Sequence, residues 1–221
     1  MDLIVQNFFN WEIMEQALPL LLRGLGTTAL LCLAVIPLGL TGGLIVALMA
    51  RTRIRVLRFA IIAAVDFFRA VPPLVLLIFI YSGLPFAGIE MSPFVAVCLG
   101  FCLNNSAYYA EIYRAGMESI GAGQMEAARS TGLTPLQAMI YVILPQAIRN
   151  VLPDLLSNTI EVVKLTSIAS VVALQELLYS ADMARSITYN SSPIVLAAAI
   201  YLLFLWPTVR MLSRLEHRVG Q

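Results

Sequence analysis

Five apolar runs dominate the chain, at about residues 27–49, 59–82, 93–112, 151–174 and 193–212. A helix crosses a ~30 Å hydrocarbon core with about 20 apolar residues, and it satisfies its own backbone hydrogen bonds there. The first run carries no charge at all. Sixty per cent of the 221 residues are apolar and 12% charged, and the mean hydropathy is +0.86, which excludes an ordinary soluble domain. The expected fold is all-α: a polytopic membrane protein with five transmembrane helices and short connections.

Residues 1–24 place Phe8, Phe9 and Trp11 among acids and amides, the pattern of an amphipathic segment at headgroup depth. Asp2, Glu12 and Glu15 precede Arg23, the reverse of a secretory n-region. In the first run Gly39 and Gly43 form a G-x-x-x-G step that admits a neighbouring helix closely. The second is interrupted by Asp66 and Arg69, one turn apart and able to pair, then by Pro72 and Pro73, which are expected to kink or unwind it. The third has a wet middle of Asn104, Asn105, Ser106 and Tyr108. The fourth carries Asp154, Ser157, Asn158 and Glu161 within an arc of about 100°, with Lys164 just outside it. Cys32, Cys98 and Cys102 all lie in apolar runs and have no histidine or carboxylate ladder beside them, so no metal site is expected.

Between the third and fourth runs lies the least apolar interior segment, residues 118–145. It reads as two short helices. The first covers about 124–131 and stops at Gly132, which takes the left-handed conformation without strain. The second opens on Thr134, Pro135 and Gln137, a capping box with proline at the first helical position. Ten arginines (Arg51, Arg53, Arg55 and Arg58; Arg114, Arg129 and Arg149; Arg210, Arg214 and Arg218) fall on the side of this loop, against Arg23 and Arg185 opposite. The positive-inside rule then puts the loop and the C-terminus in the cytoplasm and the N-terminus outside.

Glu126-Ala127-Ala128, then Gly132, then Ile143-Leu144-Pro145 resembles the EAA loop of permease subunits in bacterial ABC importers. FFRAVP at 67–72, AYYAEIYRAG at 107–116, GQMEAA at 123–128, LPQAIR at 144–149 and KLTS at 164–167 are similar to the subfamily that handles histidine, arginine, glutamine, glutamate, aspartate and opines. Val71 stands where threonine is common in that subfamily, and Thr131 where leucine is.

The resemblance implies a type I importer transmembrane domain over residues 25–215, with a cytoplasmic tail at 216–221, in the bacterial cytoplasmic membrane. It further implies two cytosolic ATPase subunits, a second permease subunit (identical or paralogous) and a periplasmic solute-binding protein. Gln124, Glu126, Ala127, Ala128, Gly132, Leu144 and Pro145 would couple to the ATPase, with Glu126 facing it and both alanines keeping the helix slim. The chain has no G-x-x-x-x-G-K-[ST] loop, and its single lysine lies inside an apolar run, so ATP and Mg belong to the partner. It is read as a transport subunit and not an enzyme, with no cofactor of its own and no catalytic residue.

Asn104, Asn105, Tyr108, Asn158, Glu161, Lys164 and Ser167 are candidates for the substrate path. Charge at mid-membrane costs about 2.5–3.5 kcal/mol on insertion scales, so Glu161 and Lys164 either neutralise one another or face a watery path. Two rival functions are an ion-coupled carrier and a non-transporting scaffold. The first would carry an internal repeat, and the second has no need of a polar stripe.

Overall fold

In a computed structural model the backbone is described for residues 2–219. Side chains are described for residues 3–211, Thr208 excepted, so Arg214, His217 and Arg218 of the tail lie outside the described side chains. Helices account for nearly all of it, and no strand occurs among the described residues. In chain order they are α1 (Asp2–Phe8), α2 (Trp11–Met49), α3 (Arg55–Ala70), α4 (Pro73–Ile78), α5 (Pro93–Glu118), α6 (Ala122–Ser130), α7 (Pro135–Ala138), α8 (Leu144–Leu165), α9 (Leu177–Thr188) and α10 (Ser192–Val219). Three stretches are long and apolar enough to cross a membrane: Leu3–Met49, Pro135–Val172 and Ser192–Met211. Arg55–Ala70 with Pro73–Ala87 makes a fourth if the two form one broken span. Helix α5, expected as a span, falls short in apolarity because Asn104 and Asn105 interrupt its run.

Residues 11–24 of the expected surface segment are the first turns of α2, whose 39 residues extend about 58 Å. Its inward positions Ala17, Leu21, Gly24, Thr28, Leu31 and Val35 recur at three- and four-residue steps, while Leu18, Leu22, Leu30 and Leu33 face outward.

The chain divides into two compact units, and the division crosses α2 after Pro37. One comprises Met1–Pro37, Pro72–Phe101 and Ile160–Met211. Leu31 and Val35 of α2 pack there with Leu77 of α4, Val97 and Phe101 of α5, and Val162 of α8. A second cluster joins Ala17 and Leu21 to Leu177, Ala181 and Ala184 of α9. Gly24 lets α9 approach so closely that an added Cβ would collide with Ser180. The first N–H groups of α9 are all satisfied: Leu177 donates to Thr28 Oγ1 at 3.1 Å, and Leu178 and Tyr179 donate to the Glu176 carboxylate at 2.8 and 2.7 Å. Helix α1 is tied down where Asn190 Nδ2 donates to the Gln6 carbonyl at 2.7 Å and Ser191 N–H to that of Asn7 at 2.9 Å.

The other unit comprises Leu38–Val71, Cys102–Thr159 and Leu212–Gln221. Its core gathers Ala47, Val65, Tyr109, Tyr113, Ile143, Val151 and Leu155. The expected glycine step is where α5 presses on α2: a Cβ on Gly43 would meet Tyr109 Cβ at 2.5 Å and the Ala110 backbone nitrogen at 2.9 Å. Gly116 gives α8 the same access, with the Ala147 carbonyl at 2.9 Å from such an atom.

Candidate functional site

The loop at 118–145 is built by local chemistry. Helix α6 ends at Ser130 with Thr131 as its cap, and Gly132 follows at φ +89°. Thr131 Oγ1 donates to the Ala128 carbonyl at 2.8 Å, and Arg129 Nη1 donates to that of Leu133 at 2.6 Å, closing the turn. The Thr134 N–H donates to Gln137 Oε1 at 2.9 Å and the Gln137 N–H to Thr134 Oγ1 at 3.3 Å, the reciprocal box read from sequence. Pro145 has no N–H for the carbonyl four residues back, and the helix widens into a π turn over Met139–Ile143 where that bond is missing. The second short helix is therefore not separate. It opens a 38-residue helical stretch, Pro135–Val172, that runs from the loop into α8.

Met125 and Ala128 turn inward, three residues apart, and Met125, Met139 and Val142 pack on the unit's core. Gln124, Glu126, Ala127 and Gly132 are exposed. Ala128, the second of the two alanines expected to keep the helix slim, is 6% exposed and faces its own chain, where the loop lies against the π turn. Leu144 is half-buried and Pro145 exposed. Leu136 and Tyr141, 68% and 70% exposed, stand with Ile140 on the same loop. Sequence reading passed over these three, although Leu136 and Ile140 carry the i, i+4 signal.

Helix α3 ends before Val71 and Pro72, both extended (ψ 125° and 131°), as the proline pair predicted. Two carbonyls lose their helical donors there, since Pro72 and Pro73 are the residues four on from Phe68 and Arg69. Helix α5 replaces both. Asn104 Nδ2 donates to the Phe68 carbonyl at 2.8 Å, and the Tyr108 hydroxyl donates to that of Arg69 at 3.2 Å. Tyr108 also lies under the Arg69 guanidinium, 5.7 Å from its ring centre. Asn104 and Asn105 are both buried. Arg69 does not pair with Asp66 as expected. Its ion pair is with Glu111 of α5 at 3.8 Å, because Glu111 reaches across from the neighbouring helix while Asp66 points to an open cavity. Glu111 also binds Arg114, which pairs with Glu118 at 2.6 Å. The two carboxylates raise the Arg114 pKa further above its ordinary value, Glu111 foremost.

On α8, Asp154 and Ser157 are exposed, and Asn158 is half-buried with Thr159 beside it bonded to the Tyr109 hydroxyl at 2.7 Å. One turn further, Glu161 and Lys164 pair with each other at 64% and 50% side-chain exposure. Ser167 donates to the Lys164 carbonyl at 2.8 Å. Asn104, Asn105, Tyr108 and Asn158 thus belong to one compact unit, and Glu161, Lys164 and Ser167 to the other.

Residues 39–221 match the family described as binding-protein-dependent transport system inner membrane component. The chain belongs to that family. Among its relatives, the probable amino-acid permease protein YxeN of Bacillus subtilis is 39% identical over 197 residues, 88% of either chain. The probable glutamine ABC transporter permease protein GlnM of the same organism is 40% identical over 163 residues, 74% of this chain and 76% of that one. A crystal structure of an amino acid ABC transporter with histidines superposes with a TM-score of 0.86 at 37% identity, covering 95% of this chain and 98% of that one.

Proposed function

We propose that this inner membrane component is the permease subunit of an ABC importer for a polar amino acid or a related compound such as an opine. In this reading the chain crosses the cytoplasmic membrane five times, the N-terminus outside and the C-terminus inside. A periplasmic binding protein delivers the solute, a second permease subunit completes the path, and two cytosolic subunits hydrolyse ATP with Mg. The amino-acid class is supported by YxeN and GlnM, whose names carry amino acid and glutamine.

The observation that carries the reading is the presentation of the loop. Glu126, Ala127, Leu136 and Tyr141 are exposed together, and Pro135 begins helix that continues through α8. A load applied at such a helix reaches the residues of α8 as a rigid displacement. Glu126 makes no ion pair among the described residues, so its charge is free for a cation on the ATPase. The apolar Leu136 and Tyr141 supply anchors of the type that dominates interfaces. Glu161, Lys164 and Ser167 are offered to the solute path, since exposed charge on an apolar helix requires water or a polar partner.

The test is uptake by proteoliposomes holding the chain with its partners. Uptake is expected to require internal ATP and to ignore ionophores. Glu126→Lys should insert normally yet lower ATP-driven uptake at least about tenfold, a loss of roughly 1.4 kcal/mol at the interface. Unchanged uptake in that variant would remove the coupling role.

A further inference from the structure

A groove on the Leu38–Val71 unit is shaped for an amphiphile. Arg51, Arg53, Arg55 and Arg58 stand at the turn from α2 into α3, Arg51, Arg53, Arg55 and Arg58 all exposed and none of them in an ion pair among the described residues. The first turn of α3 holds no acid to offset them. Ile54, Val56 and Phe59 alternate with these arginines at 63%, 80% and 74% exposure, so cation and apolar surface meet water together. From Arg58 a cavity of about 290 Å³ opens between α2, α3 and α5, lined by Val46, Ala50, Ile62, Asp66 and Glu118. Glu111 and Glu118, at its edge, are occupied by Arg114. Asp66 remains as one acid against four arginines.

A second cavity of about 300 Å³ shares Val46 and Val65 with the first and continues along the same three helices. Met49, Ile61, Ala64, Phe68 and Leu103 line it, and apart from Cys102 and Ser106 its walls are apolar. Ten residues of α3 separate Arg58 from Phe68, about 15 Å along the axis. That is half of a ~30 Å hydrocarbon core, the depth of one leaflet.

We propose that this groove holds one anionic phospholipid, its phosphate at the four arginines and an acyl chain against Ile61, Ala64 and Phe68. The charge selects an anionic headgroup over a zwitterionic one, whose ammonium the same arginines repel. The apolar extension selects a lipid over a free anion, which has no use for it.

The full chain in nanodiscs of mixed phosphatidylcholine and phosphatidylglycerol, released for native mass spectrometry, reads the retained lipid directly. Wild-type protein is expected to retain phosphatidylglycerol. Each Arg→Gln change among Arg51, Arg53, Arg55 and Arg58 lowers the preference about fivefold, and Arg→Lys restores most of it. Ala64→Phe fills the groove and leaves every arginine in place, and it lowers retention as well. Equal retention of the two lipids by wild-type protein overturns the proposal. So does wild-type retention by Ala64→Phe, and so does displacement of the lipid by inorganic phosphate, which would assign the arginines to a free anion. Cross-linking of the Ala64→Cys variant to a second permease subunit in place of reaction with a lipid-borne probe overturns it too.

Discussion

The proline pair after α3 and the two α5 side chains that answer it work as one arrangement. Pro72 and Pro73 deprive the Phe68 and Arg69 carbonyls of donors, and a buried carbonyl left unpaired costs about 1–3 kcal/mol. Asn104 and Tyr108 restore both bonds. Asn104→Leu and Tyr108→Phe are each expected to lower the stability of the purified chain by about that amount, read as a fall in Tm in detergent. Asn104→Leu with an unmoved Tm and a lost transport rate would instead return Asn104 to the solute path. Glu176 is the other residue whose burial has a price: its carboxylate caps α9 and is fully buried, and desolvation raises its pKa, outweighing the Leu178 and Tyr179 N–H bonds. For an acid with a raised folded pKa, the proton is bound more tightly in the folded state. Its contribution to stability is complete below the ordinary carboxylate range, about pH 4, and declines as pH rises through the raised value. Tm followed from acid to neutral pH should show that decline in the wild type, and Glu176→Gln should lack it.

At the scale of elements, capping was legible and helix extent was not. Gly132 at φ +89° and the Thr134–Gln137 box were readable because both are set within four residues of chain. The start of the fourth long helix was not, for a reason visible in Gln146, Arg149 and Asn150. They end the apolar run, yet they do not end helicity, so the helix begins at Pro135 where hydropathy puts a span near 151. The fate of Ala128 was likewise open, since alternating Glu-Ala-Ala has no strong periodicity until Met125 is seen to face the core. Thr134→Ala removes a cap worth about 1 kcal/mol, and Gly132→Val forces a β-branched residue into the left-handed region at about 1–3 kcal/mol. Both are expected to loosen the loop, seen as faster protease cleavage between 118 and 145, with ATP-driven uptake reduced and membrane insertion kept.

The whole molecule poses the question of the Glu161–Lys164 pair, since it is exposed in the single chain and lies on a helix that continues from the loop. Exposed i, i+3 pairs contribute little, typically below 1 kcal/mol. Glu161→Gln should therefore leave Tm almost unmoved while changing the affinity or turnover for the transported solute. A large fall in Tm with unchanged affinity would make the pair structural.

Periodicity, caps, prolines and glycine spacing are local properties, and from them the chain alone determined an all-helical membrane protein, its glycine contact between α2 and α5, its broken second run and its capped loop before α8. Which partner each polar group takes was decided only by tertiary structure. Arg69 has an acid one turn away in Asp66 and another forty-two residues on in Glu111, and it pairs with the distant one. Asn104 and Tyr108 have no partner legible in the linear pattern, and the fold sets the carbonyls of Phe68 and Arg69 in front of them. Such choices depend on which helix faces come together, and a linear pattern carries the faces without their neighbours.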